Sequence, residues 1–401
     1  MELISVNDAH DIIDHQRRDF GVERIPTVAA LGRTLAEDVR ADRDLPPFDR
    51  VTMDGIAICF KKARLSEAFH LQATQAAGEP PCILQSADQC IEVMTGAVLP
   101  VGTDTVVPYE WLQIESQLVH ILTPAKVIES QNIHFKGKDA RQHDLLIKMD
   151  TPVTASVIQV LAAVGKRDVL VYKLPKVILL STGDELVDIA DVPKDYQIRR
   201  SSNYALVAQL QQYGINTVQK HLVDEETIIQ QAIADALQAY DIVLLTGGVS
   251  KGKFDFIPFA LEQAGVQNLF HGVRQRPGKP FWFGVHPAGA LVFAFPGNPV
   301  STQLCVQRYL LPWLQAHVGR KPVVMRYAKL REEVTFEPAL DYFLQVTLAT
   351  DDQGQTWATP CRGNGSGDFA NLIHADAFLA LPAAQSAFKT GDVFPYWLIH
   401  S

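Results

Sequence analysis

Short apolar runs that end in glycine recur between residues 177 and 295. Val177 to Leu180 stops at Ser181-Thr182-Gly183-Asp184-Glu185, Ile242 to Leu245 at Thr246-Gly247-Gly248, and Leu291 to Phe295 at Pro296-Gly297-Asn298. Runs of this kind read as buried parallel strands that close in tight turns. Segments with helical spacing lie between and after them. One follows Ser201-Ser202-Asn203 to near Gly214, one covers about Glu225 to Tyr240, one runs from Asp255 to Ala264, and one from Pro299 to about His317. Thr217 to Leu222 adds a strand that ends just before Asp224. This alternation predicts a mainly parallel sheet with helices on both faces. Ligands bind such sheets outside the carboxyl ends of the strands. The stretches at Thr182–Glu185, Asp224 and Thr246–Gly248 all fall on that edge.

The pattern differs on either side. Val6 to Arg17, Thr27 to Ala36 and Thr154 to Val164 have helical spacing. Between about Ile56 and Leu146 the chain is built of short strands and turns, among them Ile56–Phe60, Ile91–Met94 and Asp104–Glu110. This reads as a β-rich insertion. Asp54-Gly55 in front of it reads as a hairpin turn. After Pro322 helical spacing ends, and Phe343–Ala349, Trp357–Thr359, Ala377–Leu381 and Val393–Ile399 predict an all-β closing domain.

Length and composition narrow the class. A chain of 401 residues with 47% apolar residues is globular and has several domains. A net charge of −9 argues against general nucleic-acid binding. Yet Lys251, Lys253, Arg274, Arg276 and Lys279 crowd one segment against only Asp255 and Glu262, which points to a small anionic ligand. The five cysteines, Cys59, Cys82, Cys90, Cys305 and Cys361, lack CxxC spacing and fit reduced thiols. No signal-peptide core and no apolar run of about 20 residues is seen, so a cytoplasmic, membrane-free protein is expected.

The turns carry the candidate chemistry. Glycines let backbone N–H groups approach an anion closely. Asp255 has two readings that both stand: helix N-cap, or a carboxylate of a phosphate-binding site. Asn298 suits an N-cap and Pro299 the first helical position, leaving free N–H groups at that helix start. Familiar alternatives are missing. There is no GxGxxG, Gly278-Lys279 is followed by Pro280 rather than Ser or Thr, and HExxH does not occur. What remains is acids (Asp184, Glu185, Asp224, Asp255), glycine turns and bases. Acids beside a phosphate site usually hold Mg²⁺ or position a charged reactant.

Seven motifs in order carry a family resemblance. They are MDG at Met53–Gly55, MTGA at Met94–Ala97, STGDEL at Ser181–Leu186, TGGVSKGKFD at Thr246–Asp255, PGKP at Pro277–Pro280, PGNPVS at Pro296–Ser301 and GNGSGD at Gly363–Asp368. Together the chain resembles the MoeA family of molybdopterin molybdenumtransferases, which includes the gephyrin E domain. The resemblance implies four regions. An elongated helical region would take residues 1–45 and 147–175, a β-rich insertion 46–146, a three-layer α/β domain like that of MogA 176–322, and a C-terminal β-barrel 323–401. It implies a transferase that inserts molybdate into adenylylated molybdopterin with Mg²⁺ and releases AMP. It implies a homodimer with active sites between subunits, and allows contact with molybdopterin adenylyltransferase. By motif match Asp54, Thr95, Glu185, Asp224 and Asp255 would be catalytic, with Glu185, Asp224 and Asp255 on the metal. Asp139, Ser181, Thr182, Gly183, Asp184, Asn203, Gly247, Gly248, Ser250, Arg276, Lys279, Pro296, Asn298, Pro299 and Ser366 would bind substrate.

Three departures stand against this match. Residues 48–52 read FDRVT where the family commonly has FDNSA. The loop at Ser130–Asp139 has Ser130 for glycine, His134 in a usual arginine position and Lys138 for glutamate, and keeps Asp139. Ile198-Arg199-Arg200 replaces a usual acid ahead of Ser-Asn. They leave open an alternative: a divergent paralogue, with altered substrate or acting as a pterin-binding scaffold.

Overall fold

A computed structural model describes residues 3–63, 68–248, 256–319, 324–363, 365 and 367–399. The expected sheet is present. Its six strands run in the order Thr217–Leu222, Val177–Thr182, Ile242–Thr246, Leu291–Phe295, Trp282–Val285, Gln267–His271. The first four are parallel and the last two join antiparallel. Val177–Thr182, Ile242–Thr246 and Leu291–Phe295 are buried at every position, because helices cover both faces. Two apolar layers result. One joins Leu180, Val243, Leu245 and Val292 to Ile229, Ile233 and Leu237 of the helix Glu226–Ala239. The other joins Leu179, Leu244 and Phe293 to Leu206 and Leu210 of Ser201–Gln211 and to the helix after Pro299.

That last helix is continuous from Pro299 to His317 but takes a π turn at Val306–Leu310. Asn298 holds its N-cap position as expected, with Pro299 first, and Thr302 N donates to Asn298 O at 3.0 Å. The helix near Asp255 begins later than expected, at Ile257, with Phe256 in the cap position. Asp255, whose capping and phosphate-site readings both concern this helix start, lies outside the described residues.

The insertion holds a six-stranded sheet in the order Thr105–Pro108, Gly55–Ile58, Gln89–Val93, Ala68–Gln75, Leu118–Ile121, Leu112–Glu115. Asp54-Gly55 is not a hairpin turn. Arg50–Val51 pairs with Ile133–His134, whereas Gly55–Ile58 pairs with Gln89–Val93 and Thr105–Pro108. Gly55 is needed for that approach: a Cβ there would lie 2.0 Å from Val107 O.

The segments flanking the insertion meet through strands as well as helices. Val22–Pro26 pairs with Asp168–Tyr172, and Val39–Arg40 with Leu145–Ile147. The expected helix at Thr27–Ala36 is a single 3₁₀ turn, Thr27–Ala30, after which the chain is held by contacts to residues 151–153 and 170–171. At the other end five strands close a barrel. Asp341–Thr350 pairs with both Thr356–Pro360 and Ala377–Leu381, and Arg326–Leu330 and Val393–Leu398 complete the ring. Gln275–Arg276 of the α/β domain adds to it in parallel, Gln275 opposite Asp341 and Arg276 opposite Tyr342.

Candidate functional site

Strand register decides what meets at the sheet edge. Thr182 lies opposite Leu222, and Ser181 opposite Thr246, which lies opposite Phe295. The turns after these residues therefore leave the sheet side by side. Gly247 N donates to Phe295 O at 3.3 Å. A Cβ on Gly247 would come 3.0 Å from Thr182 O, and one on Gly248 3.0 Å from Thr182 Oγ1. The sequence-expected residues Ser181, Thr182, Gly183, Asp184, Asp224, Gly247, Gly248 and Pro296 thus share one edge. Asn203 reaches it from the helix behind, where its Oδ1 accepts from Thr246 Oγ1 at 2.8 Å with both residues buried.

The acids there are organised. Asp184 N donates to Asp224 Oδ2 at 3.3 Å, and Asp224 N to Asp184 Oδ1 at 3.1 Å. Among the described residues each carboxylate uses one oxygen in these bonds. Glu185 folds back over the turn, so a Cβ on Gly183, whose φ is +129°, would come 2.7 Å from its Oε2. Only glycine suits that position. The expected metal set was Glu185, Asp224 and Asp255. Among the described residues no cluster of three His, Cys, Asp or Glu side chains could hold an ion. Asp255 and Ser250 lie outside the described residues, as does Ser366. The donors present are all oxygens, which suits a hard cation. Mg²⁺ takes one or two carboxylates and completes its shell with water and phosphate, so Asp224 fits.

The basic loop reaches the same edge. His271 opposes Trp282 and Trp282 opposes Ala294, so residues 272–281 turn at the carboxyl end of Leu291–Phe295. Arg276 and Lys279 are exposed on this loop. Its base is fixed by a buried network that sequence reasoning missed: Tyr309 Oη donates to Gln275 Oε1 at 2.5 Å, and Gln275 Nε2 reaches Gly278 O at 3.4 Å. Burial pushes the Tyr309 phenol well up, so it stays a donor. Arg276 also stacks 5.8 Å from the Phe336 ring of the barrel. Beside Pro299, a small half-open cavity of about 170 Å³ is lined by Ser201, Ser202, Gln303, Phe369 and Leu372, joining the α/β domain to the barrel.

Two further groups belong to none of the seven motifs. His221 sits three residues before Asp224, and its Nδ1 lies 3.0 Å from Ser181 Oγ. Burial, then Arg200, holds this imidazole below its ordinary value. Arg200, one of the departures, pairs with Asp188, which also accepts from Tyr204 Oη at 3.0 Å. Scattered His and Arg residues have no spacing that marks them out.

Asp54, Thr95 and Asp139 lie elsewhere, on the insertion. Thr95 N and Oγ1 both donate to Asp54 Oδ1, at 2.6 and 2.9 Å. These bonds, the backbone one first, hold the Asp54 carboxyl below its ordinary range. Asp139 Oδ1 lies 2.8 Å from His134 Nε2. No hydrogen bond or ion pair among the described residues links Asp54, Thr95 or Asp139 to the sheet edge. One chain therefore carries two separate clusters.

Comparison with known proteins gives these clusters a context. Residues 4–165 match the MoeA N-terminal region (domain I and II), 178–316 the probable molybdopterin binding domain, and 327–399 the MoeA C-terminal region (domain IV). The molybdopterin molybdenumtransferase of Synechocystis sp. is 37% identical over 98% of this chain and 100% of its own. That of Synechococcus elongatus is 32% identical over 93% of each. The solved structure of the molybdopterin biosynthesis MoeA protein from Pyrococcus horikosii has a TM-score of 0.84 at 26% identity and covers 100% of both chains. With its full length, its domain order and its sheet edge accounted for in this way, the chain belongs to the MoeA family of molybdopterin molybdenumtransferases.

Proposed function

We propose that this protein inserts molybdate into adenylylated molybdopterin and releases AMP. The observation that carries the reading is the sheet edge. Ser181–Asp184, Asp224, Gly247-Gly248 and Pro296 meet there, with Arg276 and Lys279 on the adjoining loop, in a chain whose full-length relatives are named for this transfer. Molybdate is an anion and the pterin substrate carries a pyrophosphate. Glycine-turn amides and the two bases would bring these together, so effective concentration is the first contribution. The cavity beside Pro299 is smaller than the roughly 300 Å³ or more of a whole-ligand pocket. It would take only part of the substrate, and Asn203, Asn298, Ser250 and Ser366 are the further residues proposed to bind it.

Asp224, Glu185 and Asp255 are the proposed holders of Mg²⁺, and Asp184 fixes Asp224 through its reciprocal bonds. Bound there, Mg²⁺ would neutralise the charge of the pyrophosphate being cleaved. No protein nucleophile is required. Asp54, Thr95 and Asp139 are proposed to complete the site from a second subunit, which the separation of the two clusters within one chain supports. The chain then works as a homodimer in the cytoplasm, divided at residues 46, 147, 176 and 323 as set out above. Contact with molybdopterin adenylyltransferase would let the substrate pass directly. The test is AMP release from adenylylated molybdopterin by purified protein with and without molybdate; release that never depends on molybdate contradicts the reading.

A further inference from the structure

Arg50 and His134 are two of the positions where this chain departs from the family pattern, and the fold brings them together. They face each other across the short antiparallel pair Arg50–Val51 and Ile133–His134. Arg50 Nη2 lies 3.1 Å from His134 Nδ1, and His134 Nε2 lies 2.8 Å from Asp139 Oδ1. A guanidinium can only donate. Nδ1 must therefore carry the lone pair, and the ring proton sits on Nε2 and is donated to Asp139. The imidazole is a neutral spacer between a cation and a carboxylate. Direct contact of Arg50 with Asp139 would cancel the positive charge. The spacer instead fixes the guanidinium and leaves its charge uncancelled.

The surroundings agree. None of the ion pairs among the described residues includes Arg50. The adjacent Asp49 accepts from Lys136 N at 2.8 Å, and Asp54 is held by Thr95. Arg50 is exposed, and among the described residues its guanidinium donates only to His134. Its strand is tied to the Thr95 turn, since Val51 N donates to Ala97 O and Gly96 N to Val51 O, both at 2.9 Å.

We infer that Arg50, held in place by His134 and Asp139, contacts a tetrahedral oxyanion of the substrates, either a phosphate of the adenylylated pterin or molybdate. This deepens the reading under Proposed function and rests on it. Binding of inorganic pyrophosphate, AMP and molybdate to the full chain is measured by calorimetry, alongside steady-state AMP release. Arg50→Gln is expected to weaken one of these anions by about tenfold, the loss of one charge-assisted hydrogen bond. Loss confined to pyrophosphate and AMP assigns Arg50 to the phosphate, and loss confined to molybdate assigns it to that oxyanion. His134→Gln still offers Arg50 an acceptor and Asp139 a donor, and should bind within about twofold of native protein. His134→Glu would grip Arg50 more tightly yet cancel its charge, so it should lose binding as Arg50→Gln does with its melting temperature retained. A purely structural Arg50 would leave His134→Glu binding normally, which overturns the inference. So would unchanged affinity for all three anions in Arg50→Gln. Lys126→Gln, which removes an exposed cation elsewhere on the insertion, should change nothing, and a loss equal to that of Arg50→Gln would reduce the effect to net charge and overturn the inference. If native protein turns over and Arg50→Gln does so with the native KM, the inference alone fails. If native protein never releases AMP although anion binding depends on Arg50, the functional reading alone fails.

Discussion

Asp184 and Asp224 hold each other across neighbouring parallel strands, each backbone N–H donating to the other's carboxylate at 3.3 and 3.1 Å. The register of Val177–Thr182 on Thr217–Leu222 places them there. The bonds set the direction of both side chains and, among the described residues, occupy one oxygen of each. Asp224→Asn keeps an acceptor for Asp184 N and removes the charge. It is expected to lose AMP release by about 100-fold or more and to melt within a few degrees of native protein. Circular dichroism and a turnover assay check both halves. A variant that retains turnover would remove Asp224 from the proposed metal site.

Behind that edge, Thr246 and Asn203 form a buried pair at 2.8 Å. Thr246→Val leaves the Asn203 side chain with an unmet acceptor, and should cost about 1–3 kcal/mol in urea unfolding. The Thr246→Val, Asn203→Leu double variant removes both polar groups and should recover part of that loss. Equal losses for the single and double variants would mean the bond contributes little.

Gly55 admits no side chain, because a Cβ would stand 2.0 Å from Val107 O. Gly55→Ala is expected to force the strands Gly55–Ile58 and Thr105–Pro108 apart and destabilise the insertion by about 1–3 kcal/mol. Hydrogen exchange of the Val107 and Ile56 amides should rise before that of the α/β sheet. Uniform loosening of the whole chain would instead show that the insertion does not unfold separately.

The Asp54 carboxyl is held below its ordinary value of 3.8 by the backbone N–H and then the hydroxyl of Thr95. A depressed carboxylate stabilises the fold above its unfolded pKa, and that contribution disappears as pH falls through the folded pKa. The window therefore lies below pH 3.8. Thr95→Val removes the hydroxyl bond and keeps the backbone bond. Carboxyl NMR titration should find the Asp54 pKa raised toward, but not up to, the ordinary value. An unchanged titration would place the cause outside Thr95.

Much of the sheet could be read in the sequence because its strands are buried on both faces and end in glycine turns. Thr217–Leu222, Leu291–Phe295 and Ala377–Leu381 stand where the pattern put them. The pattern misled at Thr27–Ala36, where apolar spacing of helical period serves a 3₁₀ turn and contacts to the returning strand. It misled again at Asp54-Gly55, since a DG pair marks a turn only when its flanking strands pair with each other. Here their partners are 34 to 84 residues away. In the site, acids and glycines stood out by motif. His221, Gln275 and Tyr309 did not, because their partners are set by the fold: Ser181 for the first, each other for the last two. The pairing of Arg50 with His134 is equally hidden in the sequence, although each departs from the family pattern.

The most direct test is a single-turnover experiment with purified protein, adenylylated molybdopterin and Mg²⁺, with AMP followed by chromatography as molybdate is added. The expected result is AMP release that rises with molybdate, is lost in Asp224→Asn and in Asp54→Asn, and returns when those two variants are mixed so that each heterodimer keeps one intact composite site. Substrate bound without molybdate-dependent AMP release, or no recovery in a mixture shown to exchange subunits, would contradict a transferase whose site is shared between two chains.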